Sequence, residues 1–275
     1  MASRQVLIGV IGGSGLYNLE NLTPVETANP KTPWGFPSSP ITISELPSGV
    51  SILPSDVPAR ANIAALKSLG VKVIVAFSAV GSLREQIHPG DFVVPDQANH
   101  DRTKGVRPAS FFEGTSSCAC HVWRSIDTQL KALIPMIQNS AWRDRSSRLA
   151  ESNMYRAWGG DIINMSVLPE AKLAREAEIS YALVATATDY DAWRVSEEPV
   201  TVAEVYKTLS NNADRSRKIT ATILEELHEI VERGDVLTSA EGGMQYSLIT
   251  RDWPEEDRKK LAFVLPKYFS KSEAN

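Results

Sequence analysis

The run from Val71 to Ser78 constrains this chain more than any other stretch, because its centre is apolar and β-branched with no polar alternation. A strand of that kind has no face to give to water, so it belongs inside a sheet covered on both sides. Asp91 to Pro95 and Ile179 to Thr186 read the same way, and Val6 to Ile11 reads as a further buried strand. Helical patterns alternate with these runs. Ser55-Asp56-Val57-Pro58 offers a hydroxyl or acidic cap before proline, and the helix it opens is expected to reach about Leu69 and stop at Gly70. Ala171 to Ala177 is expected as a short helix after Pro169. From Val202 to about Glu232, apolar residues including Val205, Leu209, Ile219, Ile223, Leu227 and Ile230 follow a helical period. They predict one long amphipathic helix, with Asn211-Asn212 as the place where it would break. Pro40 to Leu46 and Val50 to Leu53 suit a hairpin, and the tail segments Tyr246 to Thr250 and Leu261 to Leu265 are apolar enough to dock. The pattern predicts an α/β fold: a single domain over residues 1–275 with a mixed central β-sheet flanked by helices.

Composition narrows the classes of function. A chain of 275 residues that is 43% apolar and 23% charged can build a substantial core. Its formal net charge of -4 gives no basic face for nucleic acid, and no apolar run reaches the length needed to cross a bilayer. Met1-Ala2-Ser3-Arg4 leads straight into the first strand without a signal-peptide pattern, so a cytoplasmic location is expected, with the nucleus left open. Cys118 and Cys120 are too close for an unstrained disulfide and too few for a zinc site, so no metal is expected.

Four segments carry possible chemistry. Gly12-Gly13-Ser14-Gly15 follows the first strand, where glycines let backbone amides approach an anion beside the Ser14 hydroxyl. It matches neither the dinucleotide nor the P-loop pattern, and a tight corner is the competing reading. Ser78-Ala79-Val80-Gly81-Ser82-Leu83-Arg84 places small residues at the C-terminal end of the best strand, where open α/β sheets bind ligands. A plain turn competes there. Asp161 to Ser166 delivers Asn164, Met165 and Ser166 to a strand end, and the Met165 thioether suits either a flat ligand or core packing. Thr188-Asp189-Tyr190-Asp191 sets two carboxylates at another strand exit. There they serve a ligand amine or ring nitrogen, or stand as solvated loop acids.

Taken in order, these segments resemble the methylthioadenosine phosphorylases of the trimeric purine nucleoside phosphorylase family. Further matches are Pro89-Gly90-Asp91, Asp101-Arg102-Thr103, Ala150-Glu151-Ser152, Met154-Tyr155-Arg156 and Pro169-Glu170. The resemblance spans nearly the whole chain. It implies phosphorolysis of the N-glycosidic bond of 5'-methylthioadenosine, giving adenine and 5-methylthioribose 1-phosphate, with inorganic phosphate as co-substrate and no cofactor. It implies phosphate contacts at Ser14, Ser78, Ala79 and Ser166, and substrate contacts at Asn164 and Met165. Asp189 and Asp191 would face the purine as the catalytic acids, and aspartate there implies a 6-aminopurine. Val202 and Val205 would shape the slot for the methylthio group, and His121 would reach a neighbouring subunit's site in a homotrimer. Roles in purine and methionine salvage follow from the same resemblance.

The sequence departs from that family in two places. An Arg-His-Gly segment that supplies phosphate contacts is absent after Leu53, where Pro54 runs directly into Ser55-Asp56-Val57-Pro58. A Glu-Gly-Pro-x-Phe segment, whose phenylalanine packs on the purine, is absent before Glu151, where Trp142 to Ala150 stands instead. Tyr206 is bulky where an aliphatic residue is expected. Two alternatives follow from these gaps. One is a family member turned to non-phosphorolytic chemistry of the lyase or isomerase type, and the other is a non-catalytic partner in an oligomer.

Overall fold

The computed structural model of the protein describes residues 6–12, 23–45, 51–52, 58–98, 108–115, 137–142, 149–164, 166–194, 202–234, 240–248 and 253–270. Nine strands occur among them: β1 (Ile8–Ile11), β2 (Thr23–Ala28), β3 (Ile41–Glu45), β4 (Ser51–Ile52), β5 (Val73–Ser82), β6 (Phe92–Ala98), β7 (Ile137–Trp142), β8 (Ile162–Asn164) and β9 (Ser180–Tyr190). The helices are α1 (Ala59–Ser68), α2 (Leu149–Ala157), α3 (Val167–Glu176), α4 (Val202–Glu232), α5 (Glu255–Ala262) and α6 (Pro266–Phe269).

β5 is the axis of the fold. Its apolar residues divide by strand alternation between two cores: Ile74 and Ala76 pack on one side, Val73, Val75 and Phe77 on the other. The first core is closed by α1 and α3 through Ile63, Leu66, Leu173 and Ala174, the second by Leu224, Leu227 and Val231 of α4. Each such fully buried aliphatic side chain contributes about 1.5–3 kcal/mol relative to exposure. Coverage of both faces is therefore what the unbroken apolar run in β5 demanded.

The pairings make a mixed sheet in the order β1-β5-β8-β7-β6-β9, and β9 returns to pair with β5, closing a ring of five strands. β1 and β9 run parallel to β5, whereas β8 joins antiparallel at Gly81–Ser82. β6 runs antiparallel to β9 and parallel to β7, and β7 runs parallel to β8. A separate antiparallel sheet, β2-β3-β4, contains the expected hairpin.

Several expectations are corrected. β5 continues through Gly81 to Ser82 rather than turning after Ser78, because both edges of that segment find partners, β8 on one side and β9 on the other. α4 runs unbroken through Asn211-Asn212. The Asn212 side chain is buried and donates to the Ala187 carbonyl (3.0 Å), so its amide docks the helix instead of competing with the helical backbone. Pro58 occupies the N-cap position of α1 with no side-chain cap bond, and Ser55 and Asp56 lie outside the described residues. Leu69 and Gly70 (φ 93°) end that helix as expected. In the tail, Leu261 and Leu265 are buried as expected, and of the segment from Tyr246 onward Leu248 packs against the first core while the Tyr246 ring itself is 92% exposed.

Candidate active site

Parallel pairing of β5 with β9 brings their C-terminal ends out together, and β8 ends beside them. Three of the four chemically marked segments therefore meet at one edge of the sheet, where a parallel α/β arrangement leaves a crevice.

Asn164 organises the first half of this site. It is 3% exposed, and both ends of its amide are engaged. Nδ2 donates to Ser78 Oγ (2.7 Å) and to the Ala79 carbonyl (3.0 Å). Oδ1 accepts from the amides of Ser166 (2.8 Å) and Val167 (3.0 Å), the residues that open α3. One side chain thus ties the end of β5 to the start of a helix 88 positions away and sets the Ser78 and Ser166 hydroxyls 2.9 Å apart. Two half-buried hydroxyls this close together are suited to the oxygens of an anion. Ala79 is exposed and contributes its carbonyl to the clamp, and Asn164 stands behind the serines as their support.

The second half lies one strand over. The register pairs Gly81 with Asp189 and Ser82 with Tyr190, after a bulge between Val80 and Gly81. The half-buried Asp189 accepts from Thr188 Oγ1 (2.7 Å), a hydroxyl that also lies 3.2 Å from the Val80 carbonyl. Asp191 is 2% exposed, and a Cβ placed on Gly81 would stand 3.7 Å from its Cβ. Asp191 thus sits directly against this strand. Gly81 follows Ser78 by three positions on β5, a span of about 10 Å along the strand. Hydroxyls at one end and carboxylates at the other suit the anionic and the hydrogen-bond-donating ends of an extended ligand.

Ser14, Met165 and His121 lie outside the described residues, as do 53–57 and 143–148, which flank the two departures noted above. Val202 and Val205 fall on the first turn of α4. β7 supplies a strand before α2, and it ends on Trp142. No cluster of three metal-ligating side chains occurs among the described residues, and no described helix is long and apolar enough to cross a membrane. Sequence reading missed the organising role of Asn164. Its signal, an Asn-x-Ser at a strand end facing a serine on a far strand, becomes visible only once β5 and β8 are known to adjoin.

Residues 7–225 match the model of the Phosphorylase superfamily. S-methyl-5'-thioadenosine phosphorylase 1 of Puccinia graminis f. sp. tritici is 52% identical to this chain over 306 aligned positions, which take in 98% of this chain and 100% of the relative. Those 306 positions exceed the 275 residues available, so the relative carries segments that this chain lacks. A methylthioadenosine phosphorylase sourced from an antarctic soil metagenomic library superposes with a TM-score of 0.79 at 32% identity, covering 95% of this chain and 99% of the other. Methylthioadenosine phosphorylase from Schistosoma mansoni, solved in complex with adenine, superposes with a TM-score of 0.77 at 26% identity over 89% of this chain and 99% of its own. Shared sequence over essentially the full length, on a shared fold, makes this chain a member of the phosphorylase superfamily and, within it, of the S-methyl-5'-thioadenosine phosphorylases.

Proposed function

We propose that the protein phosphorolyses 5'-methylthioadenosine to adenine and 5-methylthioribose 1-phosphate, with inorganic phosphate as co-substrate and no cofactor. The observation that carries this reading is the opposed pair of functional ends: the Ser78–Ser166 hydroxyls held by Asn164, and the Asp189/Asp191 carboxylates at the exit of the adjacent parallel strand. Phosphate at the serines would attack the anomeric carbon while stabilising the oxocarbenium-like charge that develops as the bond to the base breaks. A carboxylic acid at the other end would give a proton to the purine ring nitrogen, so that adenine leaves neutral. Ser14 is the further phosphate ligand in this reading, Met165 lies against the ribose, and Val202 and Val205 border the methylthio group. Relatives that bear the phosphorylase name disfavour a lyase, an isomerase or a silent partner.

The same reading makes the protein a homotrimer, with His121 reaching into a neighbouring site, acting in the cytoplasm in purine and methionine salvage. Light scattering on purified protein would show three times the 30.1 kDa chain mass. The deciding experiment is adenine release from 5'-methylthioadenosine with and without phosphate, on protein whose intact mass has been confirmed. Release that requires phosphate is the expected result. No release, or release unaffected by phosphate, would overturn the assignment.

A further inference from the structure

The acids at the end of β9 are useful only if the short segment that bears them is held still, and two sets of contacts hold it. The outer set reaches Glu85: the Tyr190 hydroxyl donates to its carbonyl (3.2 Å), and Arg194 pairs with its carboxylate (2.9 Å) while lying 3.9 Å over the Tyr190 ring. Arg194 and Glu85 are exposed, and an exposed ion pair contributes about 0–1 kcal/mol. The inner set converges on the carbonyl of Ser82, a residue with no exposure at all. That oxygen accepts from the Asp191 amide (2.8 Å) and from Trp193 Nε1 (2.8 Å), which uses both of its lone pairs. The Arg194 amide then donates to the Asp191 carbonyl (3.1 Å), closing a turn around the indole.

The indole is itself fixed on both sides. It packs against the buried cluster of Leu83, Tyr155 and Ile163, and the Arg156 guanidinium from α2 lies 3.9 Å from its ring. Arg156 Nε is buried with no hydrogen-bond partner among the described residues, so stacking on the indole is the main contact shown for that head group. α2 is in this way coupled to the acid-bearing segment.

We infer that Trp193 is a positioning residue for the acid at the purine side: by bonding the Ser82 carbonyl beside the Asp191 amide, it fixes where the Asp189–Asp191 carboxylates stand. The inference rests on the phosphorolysis proposed above and goes beyond it, since Trp193 touches neither phosphate nor base in that reading. Misplacing a catalytic group by about 1 Å costs on the order of a hundredfold in rate, so a modest loosening is measurable.

The test is Trp193→Phe, which keeps a ring and removes the N–H, assayed on 5'-methylthioadenosine and on its N7-methylated form. The methylated base is already cationic and leaves neutral without a proton from the enzyme. Wild-type protein should turn over both, and failure on both would overturn the reaction itself and this inference with it. The variant should lose about tenfold in kcat on the unmethylated nucleoside, as expected for one buried hydrogen bond. Its phosphate KM should not move, and its turnover of the methylated substrate should stay within about twofold. Arg156→Met, which removes the stacked cation but leaves the indole N–H, should show the same pattern at about threefold, and it carries the test alone if the first variant does not fold. Equal losses on both substrates, or none on either, would show that Trp193 serves stability only.

Discussion

A serine hydroxyl is a weak and rotatable donor, and what makes Ser78 and Ser166 a site is that a buried amide aims them. Replacing Ser166 with alanine removes one hydroxyl while leaving its backbone amide on Asn164 Oδ1. Hydrogen bonds to a charged group contribute about 1.5–3 kcal/mol, so Ser166→Ala should raise the phosphate KM by roughly tenfold or more. Initial rates at varied phosphate and saturating nucleoside measure this, and an unchanged phosphate KM would remove Ser166 from the anion site. The two serines and two aspartates were legible in the sequence as small or acidic residues following apolar strand runs. Asn164 was legible only as a neighbour of Ser166. Its work is done on Ser78 and Ala79, more than eighty positions earlier, and local pattern carries no information about a contact between non-sequential strands. Trp193 was equally hidden, because an indole beside two acids reads as a loop aromatic until its N–H is seen on the Ser82 carbonyl.

At the scale of elements, β5 shows why strand interiors were easier to read than strand ends. Val73 to Phe77 could not be anything but a covered strand, and both faces are covered. The Val80-Gly81-Ser82 continuation has the composition of a turn and becomes strand only because β8 and β9 flank it. Gly81 is the residue that permits this. A Cβ there would stand 3.0 Å from Ile163 Cγ2, so that side chain would have to give by a few tenths of an ångström, while Asp191 would be in ordinary contact at 3.7 Å. Gly81→Ala should therefore cost about 1–3 kcal/mol of stability, as overpacking a filled core does. Because the crowded neighbour is Ile163 of β8, next to the Asn164 that holds Ser78, adenine release should fall along with it. Denaturant titration beside the adenine assay measures both, and a variant within about 0.5 kcal/mol of wild type would show that β8 yields freely at this point. α4 makes the converse case. Its asparagine pair looked like an interruption, yet Asn212 faces inward and gives the Ala187 carbonyl a second donor beside the Gly90 amide.

Across the whole molecule, the C-terminal segment is folded back on the core at the end of the sheet opposite the site, near the start of β9. Leu261, Val264, Leu265 and Phe269 are buried there, and Phe269 meets Trp253 edge to face with ring centroids 4.6 Å apart. The polar latch for this segment is Glu178, a residue in the left-handed region (φ 55°) in the turn between α3 and β9. Its Oε1 accepts from the Met244 amide (2.9 Å) and from the Tyr268 hydroxyl (2.6 Å). Burial first, and the bond to the Glu178 carboxylate second, hold the Tyr268 phenol above its usual value of 10.0. A phenol whose folded value is raised contributes stability that is complete below the unfolded value and fades as pH rises through the folded one. Wild type should therefore be more stable than Tyr268→Phe by about 1 kcal/mol at neutral pH, a modest figure because the ring is only half-buried. That difference should shrink progressively as pH climbs above 10, where the unfolded chain gives up its proton and the latched phenol resists doing so. Paired thermal melts of the two proteins from neutral pH to strongly alkaline pH decide it. A stability gap that stays constant across that range would mean that the Tyr268 contact is packing alone and that the tail is held by its apolar residues without the latch.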